Sequence, residues 1–562
     1  MDEKNLARVH GGLPQLVAEL KAGAIDRREF LRLTTLVGLS AGAAYALAGK
    51  STGEHFVPQA SAATPKKGGD VRVSMRVLDL KNPRSYSWVF AANIGRQVLE
   101  YLTKTGHDNV TRPYLLEGWS SSDDLKTWTL KIRKGVKWNN GEELVADHVI
   151  WNISRWLDES VGSSVLGLMK GYMLEEYETG EKNDKGEAVK STRLWADNAI
   201  EKADDHTVVL NCKSPQVAIP EHLFHYPASI MHPSSEGVFE PGAIGTGPFT
   251  LEEVEVGKKA VLKARSDYWG DGPFLDSVTV IDHGDDAAAG MNAMISKQAD
   301  LMHEASTTQY AALNAQPHLN LYQVSTAQTA GARMKVGSKA FSDPRVRKAM
   351  RLAIDTDKVL KVSHLGLGSA AEHHHVCPIQ PDYFKLDFMK QDIPAAKALL
   401  AEAGFPDGFD TEIACQKDPA WELLSVQAMV EMWKQIGVNV KINVMPGAQY
   451  WENWKKVDFG YTRWTHRPLA VMLLPLAYRS GVPWNESDFA NEKFDDLLGK
   501  AEGTLDIKER QMIMKQMQEI MQEEGPIIQA VWRAVFTFAD KRLNGFSMHP
   551  TSYMFMNDWW VA

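Results

Sequence analysis

Two periodicities alternate along the chain. The run VRVSMRV at residues 71–77 places apolar side chains at every second position, the pattern of a half-buried strand. TWTLKIRKGVKW at 127–138 does the same with a turn at Lys134-Gly135, and AVLKARSDYW at 260–269 is a third alternating strand, closing on two aromatic residues. Further on, the spacing lengthens to that of a helix. DIPAAKALLAEAG and SVQAMVEMWKQIG each carry an apolar stripe and stop at Gly404 and Gly437, glycines suited to the left-handed residue just past a helix end. VNVKINV at 438–444 then resumes alternation. This helix-then-strand order predicts α/β units in the second half, whereas the first half is richer in strands with long connections.

Length adds a constraint that the pattern does not. At 562 residues the chain exceeds one ordinary core, so two or three domains or lobes are expected. Its 44% hydrophobic and 24% charged content is that of a soluble globular protein. A net charge of -9 argues against a nucleic-acid partner, which calls for a basic face. Seventeen tryptophans are many, and indoles line pockets as well as cores. Cys212, Cys377 and Cys415 form no C-x-x-C pair and no disulfide framework.

The N-terminus carries the compartment signal. DRREFLRLTTLVGLSAGAAYALAG at 26–49 sets Arg27 and Arg28 before Phe30-Leu31 and a weakly apolar run too short to span a membrane. Ala60-Ser61-Ala62 follows as an A-x-A cleavage site. The segment resembles a twin-arginine signal peptide, with Asp26 departing from the usual Ser or Thr. It implies export by the twin-arginine machinery and a periplasmic mature protein beginning near Ala63. The alternative is a buried apolar helix after a charged turn. After residue 62 no segment approaches eighteen uninterrupted apolar residues, so the mature protein is expected to be soluble.

Four blocks in order resemble one family. LEGWSSSDDLKTWTLKIRKGVKWNNGEELVADHVIWNISRW is similar to the signature of the extracellular solute-binding proteins of the peptide/nickel class, family 5, of ABC importers. GTGPFTLEEVEVGKKAVLKARSDYWG resembles that family's Gly-Thr-Gly-Pro-aromatic strand and its Asp-Tyr-Trp ending. AFSDPRVRKAMRLAIDTDKVL resembles its Phe-x-Asp-x-Arg-Val-Arg helix, and AKALLAEAGFPDGF its Leu-Leu-x-x-Ala-Gly-x-Pro-x-Gly block. The resemblance runs from about Lys67 to the C-terminus. It implies an α/β, periplasmic-binding-protein-like two-lobe clamp with a hinge and an extra sub-domain in the first lobe. The expected division is 1–62 signal peptide, 63–282 first lobe, 283–536 second lobe and 537–562 returning to the first. It further implies a monomer that delivers a solute to inner-membrane permease and ATPase subunits and has no cofactor. A ligand sensor for a membrane receptor, or a carrier of a metal or metal chelate, is the alternative.

Catalytic motifs are missing, which agrees with a non-enzyme. There is no G-x-S-x-G, no H-E-x-x-H and no cysteine beside a plausible histidine partner. Gly245-Thr-Gly-Pro248 lacks the Lys-Ser/Thr of a phosphate loop, and its glycines are expected to serve a close backbone approach. The run AEHHHVCPIQPDYF offers His373, His375 and Cys377 as metal ligands if the chain there is extended, since alternate residues then share a face. The competing reading has these imidazoles satisfying backbone groups.

The most informative departure lies in FGYTRWTHRPLAVML, from Phe459. The resemblance implies that a tryptophan followed three positions later by aspartate lines the pocket, the aspartate receiving a peptide's ammonium. Here Trp464 is followed by Thr465, His466 and Arg467. A guanidinium offers donors only and repels an ammonium, so its natural partner is a carboxylate or phosphate. Lys335, where the family often has Asn, adds a second cation. Trp464, His466, Arg467 and Lys335 are thus the expected substrate-binding residues, for a peptide- or opine-like solute bearing an anionic group. The alternative pairs Arg467 with an acidic neighbour.

Overall fold

Local sequence and backbone agree closely from residue 64 onward. The computed structural model describes residues 64–562 apart from 87, 183–185, 187 and 285, together with 13–23 and the single positions 25, 30, 34 and 47. Arg27, Arg28 and the Ala60-Ser61-Ala62 tripeptide lie outside the described residues. Among the described residues no helix is long and apolar enough to cross a membrane.

The chain divides into two units. The first contains residues up to His303, then Gln316–Asn320 and Phe538–Ala562; the second contains Glu304–Ala315 and Leu321–Thr537. The first crossing therefore falls at His303/Glu304, beyond the expected 282/283. Its cause is strand pairing: Leu301–Met302 lies parallel to Asp70–Ser74, with Val73 opposite Leu301, which keeps the helix Ala287–Ile295 with the first unit.

The first unit is built on alternating strands. Asp70–Ser74 also pairs in parallel with Ser277–Ile281, which continues antiparallel into Lys259–Ala264 and Phe249–Glu255. Val71, Val73, Leu262, Val278 and Val280 are the inward residues of that alternation, and all are fully buried. A separate four-stranded antiparallel sheet takes in Leu116–Ser121, Thr127–Ile132, Thr207–Asn211 and Ile200–Asp204. Here the family-like block does structural work, since Trp128, Trp138 and Trp156 are wholly buried. Gly245 and Gly247 serve the close approach expected of them. A Cβ on either would lie 2.0 or 2.5 Å from a backbone carbonyl of residues 97–98. Tyr268 and Trp269 both donate to the buried Glu100 carboxylate, at 2.7 and 2.8 Å.

The second unit holds the α/β part. Its five-stranded sheet contains β1 (Thr329–Met334), β2 (Phe409–Gln416), β3 (Val438–Met445), β4 (Phe459–Trp464) and β5 (Ile527–Gln529), in spatial order β3-β2-β4-β1-β5. Helices Ile393–Glu402 and Ala420–Trp433 flank β2 in sequence, and Gly404 and Gly437 have φ of +90° and +82° as the stop pattern requires. Asp343 caps the helix Pro344–Leu352. From that helix Arg347 donates to the Glu524 carbonyl, and Arg351 to those of Gln522, Glu523 and Gly525. The family-like Asp-Pro-Arg-Val-Arg block thus ties down the end of the helix Ile507–Glu523.

Candidate functional site

The site grows from the C-terminal end of β4. β4 lies between β2 and β1, and its burial is continuous except at Arg463, so it runs through the core of the second unit. Antiparallel pairing sets Trp464 opposite Thr329. Trp464 is 8% exposed, and its indole N–H donates to Glu486 Oε1 at 3.2 Å. The other carboxylate oxygen of Glu486 accepts from Thr462 Oγ1 at 2.5 Å and from Arg333 Nε at 2.9 Å. Burial raises the Glu486 pKa, opposed chiefly by Arg333.

The two residues beyond β4 play different parts. His466 Nδ1 accepts the Ala327 backbone N–H at 3.0 Å, and burial pushes its pKa down to about 3, so it is a neutral pin on the segment entering β1. Arg467 is 6% exposed, and its carbonyl accepts from Gln380 at 2.9 Å. Its guanidinium makes no ion pair among the described residues, and the buried Nε–H has no acceptor. Lys335 is elsewhere. It follows the far end of β1, with Nζ bonded to the Lys455 carbonyl at 2.9 Å and 3.3 Å from Asp488. The length of β1 separates it from Thr329, a span of roughly 20 Å of extended chain. Trp464, His466 and Arg467 thus share one end of β4, each with its own partners, and Lys335 lies apart from them.

Residues that the sequence reading did not assign to the pocket complete the surroundings of Trp464. His375 lies with its ring 6.0 Å from that of Trp464 and 6.0 Å from that of Trp532, and Trp484 lies 6.2 Å from Trp464. Next along β4, Arg463 faces the buried Glu422 at 3.4 Å. Burial pushes Glu422 up to about 7 against the pull of Arg463 and Arg533. Arg533 covers the Trp421 ring at 4.7 Å and bonds Gln328 at 2.9 Å and Glu304 at 2.7 Å. A signal for the last group was present in QAVWRAVF: an arginine inside an otherwise apolar strand needs a partner.

The histidine run does not gather a metal set. His373 and His375 have φ of +62° and +61°, so the segment is not extended and the alternation argument for His373, His375 and Cys377 fails. Several of its polar atoms serve the fold instead. His373 Nδ1 accepts from Gln529 N at 3.1 Å, His374 Nδ1 from Val376 N at 3.3 Å, and Cys377 Sγ contacts the Thr326 carbonyl at 3.5 Å. Among the described residues the one trio with ligand atoms within 4.8 Å of one another is Glu142, His148 and His232 in the first unit. There His148 Nδ1 accepts from Trp138 Nε1 at 3.2 Å and Val145 N at 3.4 Å. Its proton therefore sits on Nε2, which lacks the lone pair a metal needs. That trio is a hydrogen-bonded cluster, with His232 Nε2 2.8 Å from Glu142.

Known proteins resemble this chain in sequence and in fold. Dipeptide-binding protein DppE of Bacillus subtilis (strain 168) is 25% identical, over 92% of this chain and 97% of its own. Glutathione-binding protein GsiB of Salmonella typhimurium is 27% identical, over 80% of this chain and 86% of its own. In fold, the chain matches AgaA from A. tumefaciens R10, solved in complex with agropinic acid, with a TM-score of 0.73 at 21% identity, covering 88% of this chain and 99% of that one. Residues 111–481, well over half of the sequence, match the bacterial extracellular solute-binding proteins, family 5 (middle), and the chain belongs to that family of ABC-transporter binding proteins.

Proposed function

We propose that the protein is the periplasmic solute-binding component of an ABC importer, and that it holds a peptide- or opine-like solute through an anionic group on Arg467. Arg467 carries this reading. Arg467 is buried three residues past Trp464, the last residue of β4, and its guanidinium forms no ion pair among the described residues. A buried cation without a carboxylate costs several kcal/mol, which a ligand carboxylate or phosphate in forked geometry offsets. Trp464, pinned by Glu486, supplies an apolar face for the solute. Lobe closure then presents the loaded protein to the permease and its ATPase.

Paired compounds test the anionic group. Met-Leu, glutathione and agropinic acid are each compared in thermal-shift and calorimetric titrations with a twin whose carboxylates are masked as amides or esters. At least one acid is expected to stabilise the protein while its masked twin does not. Arg467→Ala is expected to weaken that acid by about 2–5 kcal/mol, with Arg467→Lys recovering part. Masked twins that bind as well as the acids, no acid that binds, or full affinity in a destabilised Arg467→Ala protein would each overturn the reading.

A further inference from the structure

Beside Trp464 two more buried donors lack acceptors, and both belong to residues outside the family-like blocks. His375 is fully buried, and its Nδ1 lies 2.8 Å from Tyr478 OH. The Tyr478 hydroxyl has no other acceptor among the described residues, so it donates to Nδ1 and the imidazole proton sits on Nε2. That Nε2–H has no partner. Trp532, whose ring is 6.0 Å from that of His375, is 2% exposed, and its indole N–H also has no partner. Leaving such a donor unmet costs about 1–3 kcal/mol. Two of them lie in adjacent rings, one ring from Trp464.

We propose that His375 and Trp532 are specificity-determining residues, whose N–H groups receive an acceptor of the solute separate from the anionic group held by Arg467. The proposal rests on the solute-binding reading above and narrows its solute class. The solute carries two acceptor sites, a carboxylate for Arg467 and a carbonyl, hydroxy-acid or second carboxylate oxygen for the His375–Trp532 pair. An ammonium or amino group at that second place meets two donors and is rejected, because a site built to donate leaves its own groups unpaired against another donor. Tyr478 is a positioning residue: it touches no solute but fixes the imidazole as a donor. His373 shows the same tautomer by another route, a backbone N–H on Nδ1, so the neighbouring histidines differ in what holds them.

Two measurements on the full chain test this. The first needs no ligand. In ¹⁵N-histidine-labelled protein at neutral pH, the His375 signals, assigned by their loss in His375→Gln, are expected to show bare Nδ1 and protonated Nε2. Tyr478→Phe is expected to mix the tautomers. A protonated Nδ1 in the wild type would overturn the proposal. The second uses whichever acid of the paired panel binds the wild type. Trp532→Phe keeps the ring and removes the N–H; His375→Leu removes the imidazole donor. Each is expected to weaken that acid roughly ten-fold, the scale of one buried hydrogen bond, with His375→Gln recovering most of the loss. Should His375→Leu fail to fold, Trp532→Phe decides alone. Unchanged affinity in the folded variants, with Arg467→Ala still impaired, overturns this inference and leaves the function standing. An acid panel that the wild type ignores overturns both.

Discussion

Glu486→Ala is the sharpest structural test of the site. Glu486 and Arg333 form a pair with side chains only 6% and 2% exposed, 2.9 Å apart. The same carboxylate accepts Thr462 Oγ1 at 2.5 Å and the Trp464 indole at 3.2 Å. Arg333 keeps bonds to the Val457 carbonyl at 2.6 Å and to that of Trp454. Those carbonyls do not neutralise its charge, so removing Glu486 strands a buried cation at about 3–5 kcal/mol. The unmet indole N–H falls within that figure, because the groups form one network and their losses do not add. Glu486→Gln retains shape and an acceptor for the indole, and is expected to cost about half as much. Urea denaturation followed by tryptophan fluorescence and far-ultraviolet dichroism gives the midpoints. Calorimetry with the acid bound by the wild type shows whether a loosened Trp464 also loses affinity. Stability changes below about 1 kcal/mol for the alanine variant would refute the account of the pair as an essential buried network.

Three further outcomes follow from the same structure. Burial pushes His364, His373, His375 and His466 down to about 3. Their folded values lie below the ordinary 6.5, so their stabilisation is full above pH 6.5 and is lost as pH falls towards 3, with a limiting slope of about 1.4 kcal/mol per unit for each. Glu422, pushed up to about 7, acts with the opposite sign, as do Glu100 and Glu486, which burial also raises. These three are set against the four histidines and against His107, His148 and His374, which burial lowers too. The urea midpoint is therefore expected to fall between pH 7 and 5; a constant or rising midpoint refutes this. Arg27→Lys with Arg28→Lys is expected to leave precursor in the cytoplasm, and mature protein in the periplasmic fraction would remove the twin-arginine assignment. Saturation with a bound acid is expected to reduce the radius measured by X-ray scattering, and an unchanged radius counts against capture by closure.

Legibility varied with how local the cause was. Helix ends at Gly404 and Gly437 and the strand at 438–444 depend on near neighbours and could be seen directly in the sequence. The family-like blocks located scaffolding rather than ligand chemistry: buried indoles at Trp128, Trp138 and Trp156, and Arg351 on the carbonyls of residues 522–525. What failed depended on backbone conformation or distant pairing. Left-handed histidines at 373 and 375 cannot be inferred from three identical letters, and they undo the alternation on which a metal set relied. Lys335 looked close to the site because its charge suited it, yet strand register places it beyond the far end of β1. Trp532 and Tyr478 were invisible because they meet His375 from about 157 and 103 positions away along the sequence, distances the chain closes only by folding.

The Trp464 neighbourhood contains several features that do not favour stability. Desolvation leaves Glu486 with a raised pKa even beside Arg333, so the pair spends much of its attraction on its own burial. His375 is held in a conformation uncommon for a residue with a side chain, and its Nε2–H, the Trp532 indole N–H and the Arg467 Nε–H lack acceptors. A fold selected for stability alone would replace these groups with apolar residues of similar size. On the proposed reading, binding restores what folding leaves unmet at these groups: the donors are already in place, so a solute presenting acceptors need not reorganise them. A solute presenting an ammonium to Arg467 and the two further donors is disfavoured on that reading. On the same reading, the cation at position 467 and the donor pair at 375 and 532 constrain the solute in the same direction, although they lie far apart in the sequence.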